Sequence, residues 1–321
     1  MNAQDLLKQS RPREALPELQ AMIRAKPEDA KLRVFLFQLQ CVLGDWDKAI
    51  AQLQIAAQMD AKNLLMAQVG RQAILCEKLR AEVFAGKRSP LIVGESSDWI
   101  GMMVQACQML AEGNPAAAAE LRAKAFDAAP ATSGTIEYVK TAADEKPASE
   151  PFEWIADADA RLGPVLELVV DGRYYWAPFD RLKEIRFEKP ADLRDCVWLP
   201  AHITWSTAAS TVAIIPARYA GTEASPDGKL LMSRATEWID AGGGGSRGLG
   251  ERLIATDAGE FGVMSIRRIA LNTTPPASGA DGKPVDMPVV RPDMTGIGVG
   301  LNQGRPGGPP GGPGPQGPAR G

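Results

Sequence analysis

The chain has 321 residues, of which 45% are hydrophobic and 23% charged, and its formal net charge is −3 at pH 7. This length and composition are typical of a globular protein that buries one or two hydrophobic cores. Its basic residues (36) and acidic residues (39) are nearly balanced and interspersed, without a basic stripe. The composition therefore argues against nucleic acid or anionic lipid as a partner, since both are bound through clustered Lys and Arg.

Residues 1–20 are polar and charged, unlike a signal peptide, and the sequence contains no apolar run of about 18 residues that could span a membrane. We therefore expect a cytoplasmic protein without membrane insertion. The cysteines lie about 30 or more residues apart with no CxxC pair, and His202 is the only possible nitrogen ligand. This spacing supports neither a disulfide framework nor a metal site, and we expect no cofactor.

A helix-turn-helix pattern returns in the first half at a spacing of 34 residues, with Ala15 and Leu19 matched by Ala49 and Leu53. This period is typical of tetratricopeptide repeats. Small residues at these positions let two antiparallel helices approach closely, while the leucines fill the space between them. Gly44 suits the end of a helix because glycine tolerates a positive φ. The pattern favours a scaffold over a catalyst.

Further helices are expected at 64–84 and 99–110, separated by a loop at 87–97, and a looser copy of the repeat falls at 113–130. We therefore predict a tetratricopeptide-like helical domain over residues 1–130. The alternative is an ordinary helical bundle with a coincidental spacing.

The second half has the pattern of a β-rich domain. Residues 131–150 are polar and predict a linker, with a short helix near 136–143. A β-branched run at 165–170 ends in the Asp171-Gly172 turn and is followed by an aromatic strand, which is a strong hairpin signal. Other strands are expected at 196–199, 210–216 and 261–271, and a short helix at 233–241. A small, mostly antiparallel sheet or a partly open barrel fits this order.

Proline and glycine make up about half of residues 275–321, which have neither helical nor strand periodicity. We predict that this tail is disordered. The expected fold class is α+β, with a tetratricopeptide-like helical domain at 1–130, a linker at 131–150, a compact β-rich domain at 151–272 and a Pro/Gly-rich disordered tail at 273–321.

The second half contains a series of short motifs. Their residues are Phe152, Trp154, Asp157, Asp159, Arg161, Leu162, Gly163, Pro164, Leu166, Glu167, Gly172, Tyr174, Trp176, Pro178, Leu193, Asp195, Trp198, Ala201, Ile215, Pro216, Arg218, Tyr219, Gly250, Arg252 and the run 267–271. This series resembles the ImpE family, also called TagJ, of type VI secretion accessory proteins, and together with the helical half the match covers about residues 5–272. The glycine-rich stretch at 242–245 and the Pro/Gly tail are not part of the resemblance.

The resemblance implies a non-enzymatic cytoplasmic protein that binds the N-terminal helix of the small subunit of the contractile sheath (TssB/VipA-like). Through that subunit it would influence sheath assembly or recycling by the disassembly ATPase (ClpV-like). Stacked helix pairs agree with this expectation, because they form a concave groove suited to an amphipathic helix. The alternative is a general tetratricopeptide adaptor or chaperone with a different protein partner.

Two enzyme-like motifs fail on their context. Gly244, Ser246 and Gly248 match the GxSxG nucleophile elbow, but that motif requires a histidine after the serine and His202 precedes it. The same stretch fits a GxGxxG frame, yet it follows a predicted helix and lacks a βαβ unit. Cys196 and His202 could form a thiolate–base pair, but six residues of separation near a strand end do not ensure contact. We predict no catalytic residues.

Asp157, Asp159 and Glu167 could act in general acid–base catalysis, since paired carboxylates do so. The neighbouring Arg161 favours a structural role instead, in which the carboxylates pair with a guanidinium or cap backbone N–H groups.

Three aromatic residues are candidates for protein binding: Trp154, Tyr174 and Trp176. Alternation along a strand would place Tyr174 and Trp176 on one face and Tyr175 on the other. Most of the aromatic residues are expected in the core, but an exposed pair would make a good anchor because Trp and Tyr are favoured at binding hot spots.

Overall fold

The computed structural model describes residues 2–95, 97–141, 144 and 146–274. The predicted disorder of residues 275–321 lies outside the described residues. The first half is helical, as predicted. Its helices are α1 (Ala3–Lys8), α2 (Pro12–Ala25), α3 (Ala30–Val42), α4 (Trp46–Met59), α5 (Leu64–Phe84), α6 (Asp98–Ala111) and α7 (Pro115–Ala128), with a 3-10 turn at Ala61–Asn63.

Successive helices pack as antiparallel pairs for the reasons that the repeat pattern indicates. Gly44 (φ 74°) and Gly113 (φ 83°) follow α3 and α6, where they adopt the left-handed conformation that ends a helix. Ala15, Ala49 and Ala56 are fully buried, which lets neighbouring backbones approach closely.

The second half is β-rich and mostly antiparallel. A nine-stranded sheet has the order β1-β6-β5-β9-β8-β7-β14-β2-β3, β10 and β11 form a separate hairpin, and β13-β12-β4 form a small third sheet. A short helix, α8 (Gly228–Leu231), precedes the hairpin. The strands are β1 (Leu91–Ile92), β2 (Gly134–Tyr138), β3 (Ala148–Phe152), β4 (Ile155–Asp157), β5 (Val165–Val170), β6 (Arg173–Pro178), β7 (Leu182–Phe187), β8 (Trp198–Trp205), β9 (Ser210–Pro216), β10 (Thr236–Gly242), β11 (Gly245–Gly250), β12 (Leu253–Thr256), β13 (Gly259–Gly262) and β14 (Ile266–Leu271).

Several local predictions are wrong, and tertiary pairing explains each one. The short helix expected near 136–143 is wrong at its start, because Ile136 is fully buried in β2 between β3 and β14. The helix expected at 233–241 is also wrong, since most of it forms β10 paired with β11. The loop expected at 87–97 contains β1, which pairs in parallel with β6. Local polarity does not reveal such non-local strand pairing.

The polar segment at 131–150 therefore contributes strand residues to the large sheet. The helical and β-rich halves fall in one compact unit. The domain boundaries drawn from the sequence stay a prediction.

The described part of the chain contains three hydrophobic cores, and two of them are shared between the halves. One fills the interior of the β-rich half. The second joins the helices α1–α5 to Cys196, Val197 and Trp198. The third joins α5, α6 and α7 to Val165, Val169 and other residues on the outer face of β5 and β6. The helices thus use one face of the sheet as part of their own core.

Glu251 provides a test of this packing through pH. Its carboxylate accepts a hydrogen bond from the Met264 backbone N–H (3.0 Å), and burial raises its pKa from 4.5 to about 7. The folded protein then binds more protons than the unfolded chain between these values, so the raised pKa of Glu251 lowers the unfolding free energy as pH rises through this window.

We therefore predict that Glu251→Gln is more stable than the parent protein at pH 8, by up to about 3 kcal/mol, and that the difference disappears near pH 4. Denaturant unfolding at several pH values measures this, with Glu260→Gln at an exposed position as the control. An equal difference at both pH values would show that Glu251 does not titrate in this way.

Candidate functional site

The most unusual position in the sheet is Glu167, a carboxylate in the middle of the fully buried strand β5. Val165 and Val169 belong to the core shared with the helices, whereas Leu166, Leu168 and Val170 belong to the β interior. Since side chains alternate along a strand, Glu167 lies on the face that meets the helices. An acidic side chain is therefore placed at the junction between the two halves.

Two arginines hold this carboxylate. Arg80 of α5 donates from Nε to Oε1 (2.7 Å) and from Nη2 to Oε2 (2.8 Å) of Glu167, a bidentate pair. Arg252, immediately before β12, also forms an ion pair with Glu167. Arg80 also donates to the Arg218 carbonyl (3.0 Å). One buried carboxylate thus links a helix of the first half to strands of the second.

The neighbouring aromatic residues complete the contacts of Glu167. Tyr174 donates its hydroxyl hydrogen to Glu167, and Trp176 donates its indole N–H to the Tyr174 hydroxyl (2.7 Å). The predicted alternation is confirmed, because Tyr174 and Trp176 face the helices while Tyr175 packs against the β interior.

A second set of ion pairs continues the network inside the β-rich half. Arg252 pairs with Asp157 as well as with Glu167. Asp157 accepts the Asp159 backbone N–H (2.8 Å), and Asp159 pairs with Arg161 through Nη2 (2.5 Å). These contacts are the structural roles expected for the acidic residues, and all of these side chains are buried.

Two further arginines of the β-rich half bind the ends of helices in the first half. Arg218 is 2% exposed and donates to the carbonyls of Cys41 (3.0 Å) and Val42 (2.7 Å) at the end of α3. Arg234 donates to the carbonyls of Leu7 (3.0 Å) and Lys8 (2.8 Å) at the end of α1. A helix C-terminus carries partial negative charge and unpaired carbonyls, so both contacts are favourable.

Burial and the neighbouring arginines together determine the pKa values of the carboxylates in this network. Burial alone would raise the pKa of Glu167, but Arg80 and Arg252 hold it well below its usual value. Burial raises the pKa of Asp157 to about 7 although Arg252 opposes the shift. The carboxylates are buried and already bonded, so they offer no position at which a substrate could meet them.

No group of three or more His, Cys, Asp or Glu with metal-binding geometry occurs in the described part of the chain.

The structure separates the three predicted protein-binding aromatics. Tyr174 (1% exposed) and Trp176 (0%) are core residues, so their assignment to a binding surface is wrong: the helices cover the face of β6 that carries them. Trp154 is 42% exposed between β3 and β4 and can still meet a partner.

The structure also places the residues of the enzyme-like motifs. Ser246 lies in the β10–β11 hairpin, which shows that a strand, and not the predicted helix, precedes the glycine-rich stretch. Cys196 is buried, donates to the Leu193 carbonyl, and has its pKa raised to about 11 by burial. His202 is exposed and contacts Glu188 (3.0 Å). Burial of one side chain and exposure of the other do not favour a Cys–His pair.

Sequence reasoning missed Arg80. It lies in α5 in a buried stripe with Ala73, Cys76 and Val83, at spacings of three and four residues. A charged residue in such an apolar stripe signals a buried ion pair, because an unpaired charge would be too costly there. Its partner could have been sought in Glu167, the other charged residue inside an apolar run.

Exposed large apolar side chains in the helical half concentrate around α5. We define the α5 surface as Leu64, Leu65 and Leu75 of α5, which are 58%, 45% and 44% exposed, together with Met59 at the end of α4, which is 36% exposed. Leu64 and Leu75 are eleven residues apart, so they lie on one face of the helix, three turns apart. Gln72 lies against Gly172 of the β5–β6 turn, which places the β-rich half beside this helix.

Comparisons with known proteins agree with this architecture. The family model described as ImpE protein matches residues 149–270, and a tetratricopeptide repeat model matches residues 6–69. The type VI secretion system accessory component TagJ of Pseudomonas aeruginosa is 45% identical over 274 residues, which cover 85% of this chain and 92% of TagJ.

The chain belongs to the ImpE/TagJ family. A crystal structure of protein VPA1032 from Vibrio parahaemolyticus has the same fold, with a TM-score of 0.73 at 20% identity, covering 84% of this chain and 97% of that one. The family resemblance and the tetratricopeptide-like helices read from the sequence are confirmed, as is the α+β fold class. Among the described residues of this ImpE/TagJ protein, no helix has the length and apolar character needed to span a membrane.

The burial of Trp176 between the two halves, and the exposure of Trp154, lead to a prediction about stability. We expect Trp176→Ala to lower the unfolding free energy by about 3 to 5 kcal/mol, because it removes a fully buried indole and leaves the Tyr174 hydroxyl without its donor. Trp154→Ala, at the exposed position, should cost less than about 1 kcal/mol. Denaturant unfolding of both variants checks this, and similar losses would contradict the assignment of Trp176 to the core.

Proposed function

We propose that this protein is a non-enzymatic, cytoplasmic adaptor of the type VI secretion system that binds the N-terminal helix of the small subunit of the contractile sheath. Its effect would be on sheath assembly or on recycling by the disassembly ATPase. The observation that carries the proposal is the 45% identity to the accessory component TagJ over 92% of that protein. The absence of a catalytic arrangement in the buried network is compatible with an adaptor.

The α5 surface is the best candidate for the contact in the helical half. An amphipathic helix presents apolar residues at spacings of three, four and seven, and it binds by laying this stripe along an apolar groove or face. Leu64 and Leu75 offer two apolar positions about three turns apart, flanked by Met59 and Leu65. Large exposed apolar groups that share one surface are typical of interaction sites.

The position of the surface in the fold also supports this choice. The same helix carries Arg80, whose bonds to Glu167 hold α5 against the β-rich half. A rigid face loses less conformational entropy on binding than a mobile one.

A titration of the full-length protein with a labelled peptide of the cognate sheath subunit's N-terminal helix tests the proposal. We expect saturable binding that is lost when the apolar face of the peptide is made polar. Leu64→Asp and Leu75→Asp should each weaken binding by about 30-fold, as expected for a hot-spot loss of about 2 kcal/mol. Neither variant should lower the melting temperature appreciably, because both side chains are exposed.

Leu91→Asp is the matched control, since Leu91 is 47% exposed but belongs to the edge strand β1. It should bind as the parent protein does. Loss of binding in Trp154→Ala, with the α5 variants unaffected, would move the contact to the β-rich half. If neither the peptide nor the intact sheath subunit binds, the sheath assignment fails and a general tetratricopeptide adaptor with another partner becomes the better account.

A further inference from the structure

Arg122 of α7 is a buried arginine whose charge is not balanced locally. It is 6% exposed, yet it forms no hydrogen bond or ion pair with any other residue in the described part of the chain. Burial lowers its pKa, and the attraction of Asp159 opposes this shift. Asp159 is already engaged by Arg161 and by the Gly248 backbone N–H (3.0 Å). The guanidinium therefore keeps its donors unused.

The turn of the β10–β11 hairpin lies over this arginine and over the start of its helix. Gly242 and Gly245 pair across the turn. A Cβ on Gly243 would lie 2.5 Å from the Pro115 carbonyl oxygen and 3.1 Å from the Ala116 nitrogen, so the turn packs on the first turn of α7. A Cβ on Gly245 would lie 3.5 Å from Nη2 of Arg122. The guanidinium and the helix N-terminus thus border the same turn.

The backbone conformation requires glycine at the two tip positions of the hairpin, but it does not require glycine at Gly245. Gly243 (φ 61°) and Gly244 (φ 75°) supply the two positive φ angles that a tight type I′ hairpin needs. Gly245 is not in this region, and a Cβ there would make only an ordinary contact. A Cβ at Gly245 would contact Nη2 of Arg122 (3.5 Å) and the Gly242 carbonyl oxygen (3.6 Å), so the backbone of Gly245 lies close to the arginine head with room for no more than a methyl group between them.

The helix N-terminus adds further unused donors at this place. The first N–H groups of an α-helix have no partner within the helix, and the side chain of the cap residue Asn114 makes no capping hydrogen bond to them. Pro115 occupies the first helical position, and α7 runs for 14 residues, long enough to carry a helix dipole. These N–H groups and the guanidinium therefore border the same turn, at Gly243 and Gly245 respectively.

We propose that Arg122, the backbone around Gly245 and the first turn of α7 form a binding site for a phosphate group. A guanidinium offers forked donors that match phosphate oxygens, and a helix N-terminus beside a glycine-rich turn favours the same dianion. The site is independent of the α5 surface, and its ligand is either free phosphate or a small phosphate ester.

The test is an amide NMR titration of the full-length protein with inorganic phosphate at constant ionic strength. We expect saturable shifts at Gly243, Gly244, Gly245 and Ala116 with low-millimolar or tighter affinity. Arg122→Gln should weaken binding at least tenfold. Arg247→Gln removes a positive charge from the same hairpin without touching the site, so it should leave the affinity within about twofold.

Two variants of Gly245 keep the proposal testable if Arg122→Gln fails to fold. Gly245→Ala fits the available space and should retain binding. Gly245→Asp places a carboxylate beside Arg122, so it should abolish phosphate binding and raise the melting temperature relative to Gly245→Ala. A nucleoside monophosphate that binds more tightly than inorganic phosphate would identify the ligand as an ester, whereas equal affinity would identify free phosphate as sufficient.

Three results would overturn the proposal. Shifts that do not saturate would show only general ion effects. Equal weakening by Arg122→Gln and Arg247→Gln would show attraction to the hairpin's overall charge. Acetate that binds as tightly as phosphate would show that the site does not select a phosphate group.

Discussion

This structure depends on the contacts of the Glu167 carboxylate with Arg80 of α5 and with Arg252, the residue immediately before β12. An isolated carboxylate at this depth would be expensive, and so would either arginine alone. Together they form a bonded set that also engages Tyr174 and the Arg218 carbonyl. Removal of one member leaves uncompensated buried charge, which typically costs about 3 to 5 kcal/mol. The two halves are therefore joined by buried charged side chains, each of which needs its partners to offset its charge.

This junction explains why the helical half is more than a tetratricopeptide array attached to a second domain. Helices α5, α6 and α7 complete their core on the outer face of β5 and β6, and Arg218 and Arg234 bind the C-terminal ends of α3 and α1. The position of α5, and with it the proposed partner surface, is set by contacts from the β-rich half. The proposed partner would therefore meet a face whose position is set by these contacts.

Much of the fold could be predicted from local patterns. The period of 34 residues located the helix pairs, the Asp171-Gly172 turn located the β5–β6 hairpin, and alternation assigned Tyr174 and Trp176 to one face. The acidic residues have the predicted structural role, but only Asp159 pairs with the neighbouring Arg161, whereas Asp157 and Glu167 pair with Arg252. These features depend on spacing and residue type within a short window.

The features that sequence reasoning missed depend on distant partners. Strand β2 lies in a polar stretch and is defined by pairing with β3 and β14. Strand β10 pairs with a glycine-rich β11 that has little strand propensity of its own. The exposure of Tyr174 and Trp176 could not be judged because it depends on α5, α6 and α7, which lie far away in the sequence. Glu167 and Arg80 each carried a signal, but only the fold shows that they meet.

The measurement that tests the junction most directly is hydrogen exchange of the full-length protein and of Glu167→Gln, followed through peptides from α5 and from β5 with increasing denaturant. In the parent protein, the α5 and β5 segments should lose their exchange protection at the same denaturant concentration. In the variant, α5 should open at lower denaturant than β5, with a loss of several kcal/mol in its opening free energy. Coincident opening in the variant, with a loss below about 1 kcal/mol, would contradict the central role of Glu167.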